Sequence, residues 1–214
     1  MTHIITIQYP YQHLTITLSD KTTILSTQTI SKFQAVSQLL PVMHNILTQH
    51  NLTLSDIACI GVNTGPGPFN TLRSIIATAN ALAFAQKISL IACNGLDLLL
   101  QEHPSNDTVA ILDAFGNDVY YAIAQTGQQG YDSIENVLKK IGLSDQKKIN
   151  FIGNGAVKHA QMIESFCGDH AQINQELLFA STQSLVNATC KQFLQSKTEQ
   201  EIFPLYFASP VVKN

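Results

Sequence analysis

The chain has 214 residues, enough for one large domain or two small ones around a sizeable core. Hydrophobic residues make up 45% and charged residues only 13%, the net charge is -3 and the lysines are scattered, so the chain is ordered and lacks the basic stripe that tight, direct nucleic-acid binding requires. No run reaches the roughly 20 apolar residues of a membrane span, and Cys59, Cys93, Cys167 and Cys190 stand far apart, as buried thiols of a reduced, cytoplasmic protein do.

The N-terminus alternates threonine and isoleucine, which predicts strands over 3–8 and 13–18 and a third over 22–30. A helix is expected over 31–50, with Phe33, Val36, Leu40, Met43 and Leu47 recurring at three and four and Pro41 bending it. Ile57–Val62 reads as a buried strand, 71–86 as a helix rich in alanine, 88–92 as a strand and 95–101 as a short helix. The turn formers His103-Pro104-Ser105-Asn106-Asp107 mark the expected boundary between lobes 1–104 and 105–214. Beyond it, strands are expected at 109–113, 119–125 and 150–152, and helices at 133–141, 156–166 and 181–196. Strands followed by helices in each half argue for two related α/β lobes.

The stretch GVNTGPGPFNTLR, residues 61–73, joins the fourth strand to its helix and ends in the only arginine of the chain. A glycine-rich turn between strand and helix has two readings. It can aim free N–H groups at a phosphate, or it can be a rigid elbow, with Gly65 and Gly67 supplying conformational freedom and Pro66 and Pro68 stiffness. No GxGxxG and no Walker lysine is present. Arg73 lies at the unfavourable end of the helix dipole, where a planar fork of donors would grip carbonyls or a carboxylate.

GPGPFNTLRSIIATANALA resembles the G-x-G-P-G-S-F-T-G-L-R signature of the TsaB (YeaZ) family. Leu39-Leu40-Pro41, Leu54-Ser55-Asp56-Ile57, Asp113-Ala114 with Val119-Tyr120, Gly153-Asn154-Gly155-Ala156 and Pro204-Leu205-Tyr206 match further family motifs in order. The resemblance implies an actin-like, sugar-kinase-like fold of two related lobes, each a mixed sheet with helices. It also implies a non-catalytic scaffold role in installing threonylcarbamoyl on tRNA adenosine. The implied partners are a TsaD-like catalytic subunit and a TsaE-like ATPase, with tRNA met only through the complex and no cofactor. Pairing would run through helices 31–50 and 71–86, at Val36, Leu40, Met43, Leu47, Leu72, Ile75, Ile76, Ala79 and Leu82, with the loop of Gly65, Pro66, Gly67, Phe69 and Arg73 as a structural corner. A homodimer through the same helices is a third reading.

Several residues depart from the pattern. Gln8-Tyr9-Pro10 replaces the family's D-T-S, Pro68 its serine, and Phe115 the arginine after Asp113-Ala114. A neutral Gln8 cannot serve a hard cation as a carboxylate does. His44 and His50 are six apart, about 240° around a helix, and do not converge on a metal. Asp113 and Asp118 read as turn-stabilising residues. The alternative function, an ATP-dependent phosphotransferase of the actin-like superfamily, rests on fold analogy alone.

Overall fold

Alternating apolar residues in the first thirty positions form a meander of β1 (His3–Gln8), β2 (His13–Asp20) and β3 (Thr23–Ser31), in the computed structural model that describes residues 2–141 and 148–207. Because successive side chains point to opposite faces, Leu14, Ile16 and Leu18 are all buried on one side of β2. Against that side pack α1 (Ala35–Gln49) and, after β4 (Ile57–Asn63), α2 (Phe69–Gln86); the shared core joins Ile5, Ile7, Ile60 and Val62 to Leu39, Met43, Ile46, Ile75 and Ile76. β5 (Ser89–Cys93) completes a five-stranded sheet of order β3-β2-β1-β4-β5, in which β4 runs parallel to β1 and to β5.

After α3 (Gly95–Glu102) the same plan recurs. β6 (Thr108–Asp113), β7 (Asp118–Ile123) and β8 (Gln128–Ser133) form an antiparallel meander, and β9 (Ile149–Ile152) and β10 (Ala171–Ile173) add in parallel on the other side of β6, giving β10-β9-β6-β7-β8. Val109, Ile111, Phe151 and Ile163 centre its core, covered by α4 (Ile134–Ile141), α5 (Asn154–Lys158) and α6 (Ala160–Cys167). Finally α7 (Thr182–Leu194) returns to pack on β1, β4 and β5 of the first sheet. It lies on the face that Gly61 presents, opposite α1 and α2: a Cβ at Gly61 would come within 2.0 Å of Thr189 Oγ1.

The two compact units are Met1–Gly95 with Ser181–Leu205, and Leu96–Ala180 with Tyr206–Asn214. They differ from a sequential division at 104 because α7 belongs with the first sheet. The first helix starts at Ala35, not Ser31: Ser31 is still paired with His13, and Lys32 donates its N–H to Gln12 O at 2.9 Å. The helix expected over 156–166 is interrupted at His159, giving α5 and α6. β8 and β10 are additional. Among the described residues no helix is long and apolar enough to cross a membrane.

Candidate functional site

The turn between β4 and α2 is bonded from both sides. Thr64 donates its N–H to Cys93 O at 2.9 Å and its hydroxyl to the same oxygen at 3.2 Å, while Thr64 O accepts the Leu205 N–H at 2.9 Å. Asn63 Oδ1 accepts the Gly65 N–H at 3.0 Å, and Gly65 O accepts the Gly95 N–H at 2.7 Å. Gly65 has φ of +113°, and a Cβ there would lie 2.9 Å from Leu72 Cδ2, so both its conformation and its surroundings require glycine. The Gly65–Pro66 peptide is cis, and Thr64, Gly65 and Pro66 are buried. An anion cradle needs free, outward N–H groups; that of Gly65 is already engaged, and Pro66 and Pro68 have none. At Thr64 and Gly65 the bonding is that of a packed turn.

Arg73, one turn into α2, places its guanidinium 3.9 Å from the centroid of the Phe69 ring. Its planar fork therefore stacks on an aromatic face, a contact a lysine reproduces poorly. The end of β1 abuts this corner, with Tyr9 O 3.6 Å from where a Gly67 Cβ would stand. Gln8 and Tyr9 are buried there and neutral, which does not fit the oxygen-rich, charged coordination a hard divalent cation seeks. Among the described residues no three His, Cys, Asp or Glu side chains gather as a metal site.

In the second unit, Asp113 accepts the Phe115 N–H at 2.9 Å and pairs with Lys158 Nζ at 2.7 Å, and Lys158 also donates to Gly116 O at 2.9 Å. Asp118 accepts the Tyr131 hydroxyl. Both aspartates are thus held by the hairpin and its neighbours, as turn-stabilising residues are.

The structure divides the residues expected at a partner interface. Met43, Leu47, Leu72, Ile75, Ile76 and Ala79 are at most 3% exposed and belong to the core of their own unit, although Met43 and Leu47 also reach the groove beside α1. The stripe read from the sequence straddles two faces: its 43/47 and 72/75/76/79 positions turn toward the sheet. Val36 and Leu40 are 52% and 48% exposed, and Leu82 is half-buried. The sequence reading missed Phe84, which is 87% exposed on the face of α2 that also carries Ala77 and Ala81. Its signal was available: Phe84 lies three and seven residues from those exposed alanines, off the stripe that ends at Leu82. Leu40, His44, Leu52, Leu54 and Gln86 line a groove of about 670 Å³ that brings the exposed side of α1 to the end of α2.

Residues 28–209 match the family model described as TsaD, tRNA N6-adenosine threonylcarbamoyltransferase. The chain is 25% identical over 191 residues to the tRNA threonylcarbamoyladenosine biosynthesis protein TsaB of Haemophilus influenzae, covering 81% of this chain and 80% of that protein. In fold it is similar to YeaZ from Pseudomonas aeruginosa, with a TM-score of 0.75 at 19% identity over 96% of this chain and 100% of the other. It is also similar to ethanolamine utilization protein EutJ from Carboxydothermus hydrogenoformans, with a TM-score of 0.51 at 9% identity over 87% and 90% of the two chains. The twice-repeated strand plan and these likenesses make the fold the two-lobe, actin-like α/β arrangement.

Proposed function

The chain belongs to the threonylcarbamoyltransferase family matched over residues 28–209, in its TsaB (YeaZ) group, and from that premise we propose that it is a non-catalytic subunit of threonylcarbamoyladenosine biosynthesis on tRNA, supporting a TsaD-like catalytic subunit in the cytoplasm. The observation that carries this reading is the exposed face of α1 and α2. Val36, Leu40, Ala77, Ala81 and Phe84 expose apolar or small side chains on two helices that pack against each other. Small residues let another helix approach closely, and a large aromatic beside them is the kind of anchor that dominates interface energetics. Arg73 stacks on Phe69 in the first turn of α2, where the elbow leads into the helix that carries that face. A TsaE-like ATPase would join the same assembly, and tRNA would be met through the complex, since the chain has no basic stripe of its own.

The test is size-exclusion chromatography with light scattering, on the chain mixed with the TsaD-like protein of the same organism. A species of summed mass is expected with the unaltered chain. Leu40→Asp and Phe84→Asp should each remove it without changing the circular dichroism spectrum, because both side chains are exposed. Co-elution of both variants with the partner would overturn the assignment of this face. Ile76→Asp is a contrast: Ile76 is 2% exposed, so its loss of pairing would accompany loss of the fold.

A further inference from the structure

Beyond α7 the chain is fastened back onto the first unit at three points between Glu199 and Leu205. Glu199 exchanges both backbone bonds with Leu90 of β5, at 2.9 and 3.0 Å. The side-chain amide of Asn80, on α2, accepts the Ile202 N–H at 3.0 Å and donates to its carbonyl at 2.9 Å. The Leu205 N–H donates to Thr64 O at 2.9 Å.

The order of these anchors fixes the course of the segment. Glu199 shares a cavity of about 640 Å³ with Phe84 and Lys87, where α2 ends. Leu205 O lies 3.7 Å from where a Gly65 Cβ would stand, in the turn from which α2 starts. The segment is thus a strap that runs antiparallel to α2, along the flank that carries Asn80. Its side chains divide: Ile202 is fully buried in the core of the first unit, whereas Phe203 is 67% exposed. An extended chain advances about 3.3 Å per residue and a helix about 1.5 Å. One step from Ile202 therefore covers about two residues of α2, which carries Phe203 from Asn80 toward Ala77. Phe203 is held on both sides, by the Asn80 clamp before it and by Pro204 and the Leu205 bond after it. An aromatic held in this way binds without the cost of ordering a loop.

We propose that the strap is a third element of the face presented by α1 and α2, with Phe203 a second aromatic anchor beside Phe84. An apolar side chain of the TsaD-like subunit seats on Ala77 and Ala81, bounded by these two rings. The inference rests on the subunit reading given above, and the occupant follows from continuity with that face. The chemistry of the helices agrees: α1 has no Asp, Glu, Lys or Arg and α2 only Arg73, and depletion of charge marks the centre of a protein interface rather than a site for nucleic acid.

Biolayer interferometry of the full chain against the TsaD-like protein of the same organism tests this, with a circular dichroism melt of each variant. Phe203→Asp should raise Kd by about tenfold or more at unchanged Tm, and Phe203→Leu, which stays apolar, by less. Phe203→p-benzoylphenylalanine should cross-link to the partner under ultraviolet light. Leu194→p-benzoylphenylalanine should not, since Leu194 is 69% exposed at the end of α7, on the other side of the sheet. The cross-link decides the matter even where Phe203→Asp lowers Tm. An unchanged Kd in Phe203→Asp, or no cross-link from position 203, while Leu40→Asp abolishes binding, overturns the strap and leaves the helix face standing. Absence of any complex with the unaltered chain overturns both.

Discussion

Cys59 and Cys93 lie where α7 covers the first sheet, and burial there governs their chemistry. Burial raises the Cys59 thiol from 9.0 to about 12, helped by Cys190 and Cys93 nearby, and raises Cys93 to about 11 against hydrogen bonds from Thr189 and Gln192. Only the thiolate is an effective nucleophile. At pH 8 the folded chain should therefore show almost no reaction with Ellman's reagent at these thiols, and rapid reaction once urea unfolds it. Rapid labelling of the native protein would contradict the packing of α7. Linkage gives the pH dependence. Above pH 9 the unfolded chain releases thiol protons that the folded chain retains, so stability is fully present below that pH and declines as pH rises toward 11–12. At this scale the sequence was informative about type and silent about partner. A single arginine marked position 73 as special, but nothing in the spacing said that its guanidinium would meet Phe69, because a stacking contact depends on rotamers as well as separation.

Gly61 shows how one element constrains another. It faces α7, and a Cβ would stand 2.0 Å from Thr189 Oγ1 and 2.8 Å from Thr189 Cβ. Gly61→Ala must push the helix off β4, at a cost of about 2–3 kcal/mol for an overpacked site. Urea unfolding should record it, and Thr189→Ala in the same chain should recover part of the loss, since the two residues are coupled by contact. Unchanged stability in Gly61→Ala would mean that α7 is not seated as described. Periodicity located nearly every long element: the meander, α1, β4, α2 and α7. It missed β8, whose Gln128-Gln129-Gly130 start has poor strand propensity and is recruited by pairing with β7. It also grouped core-facing Met43, Leu47, Leu72, Ile75, Ile76 and Ala79 with exposed Val36 and Leu40, because a stripe broad enough for two contacts does not say which half faces the sheet. Burial separates Leu40 from Met43, and Phe84 from Ala83.

The whole chain cannot be divided in sequence order, and the repeated strand plan explains why the reading favoured a cut at 104. Each half opens with its own meander and reads as self-sufficient. The distinction lies in α7, which buries Leu185, Val186, Thr189 and Cys190, and in Ile202, which joins the first core. Asn80 anchors the same segment, donating to Ile202 O at 2.9 Å and accepting its N–H at 3.0 Å. Fully burying a side chain such as Leu or Val is worth about 1.5–3 kcal/mol, comparable in sum to the net stability of a domain. A fragment of residues 1–104 leaves one face of its sheet uncovered, so it should elute as aggregate or unfolded chain and show no cooperative melt by circular dichroism. The same fragment joined by a flexible linker to residues 181–205 should melt cooperatively, because the missing layer is restored. Cooperative melting of 1–104 alone would show that its sheet is stable with α1 and α2 only, and that the return of α7 adds nothing the first unit requires.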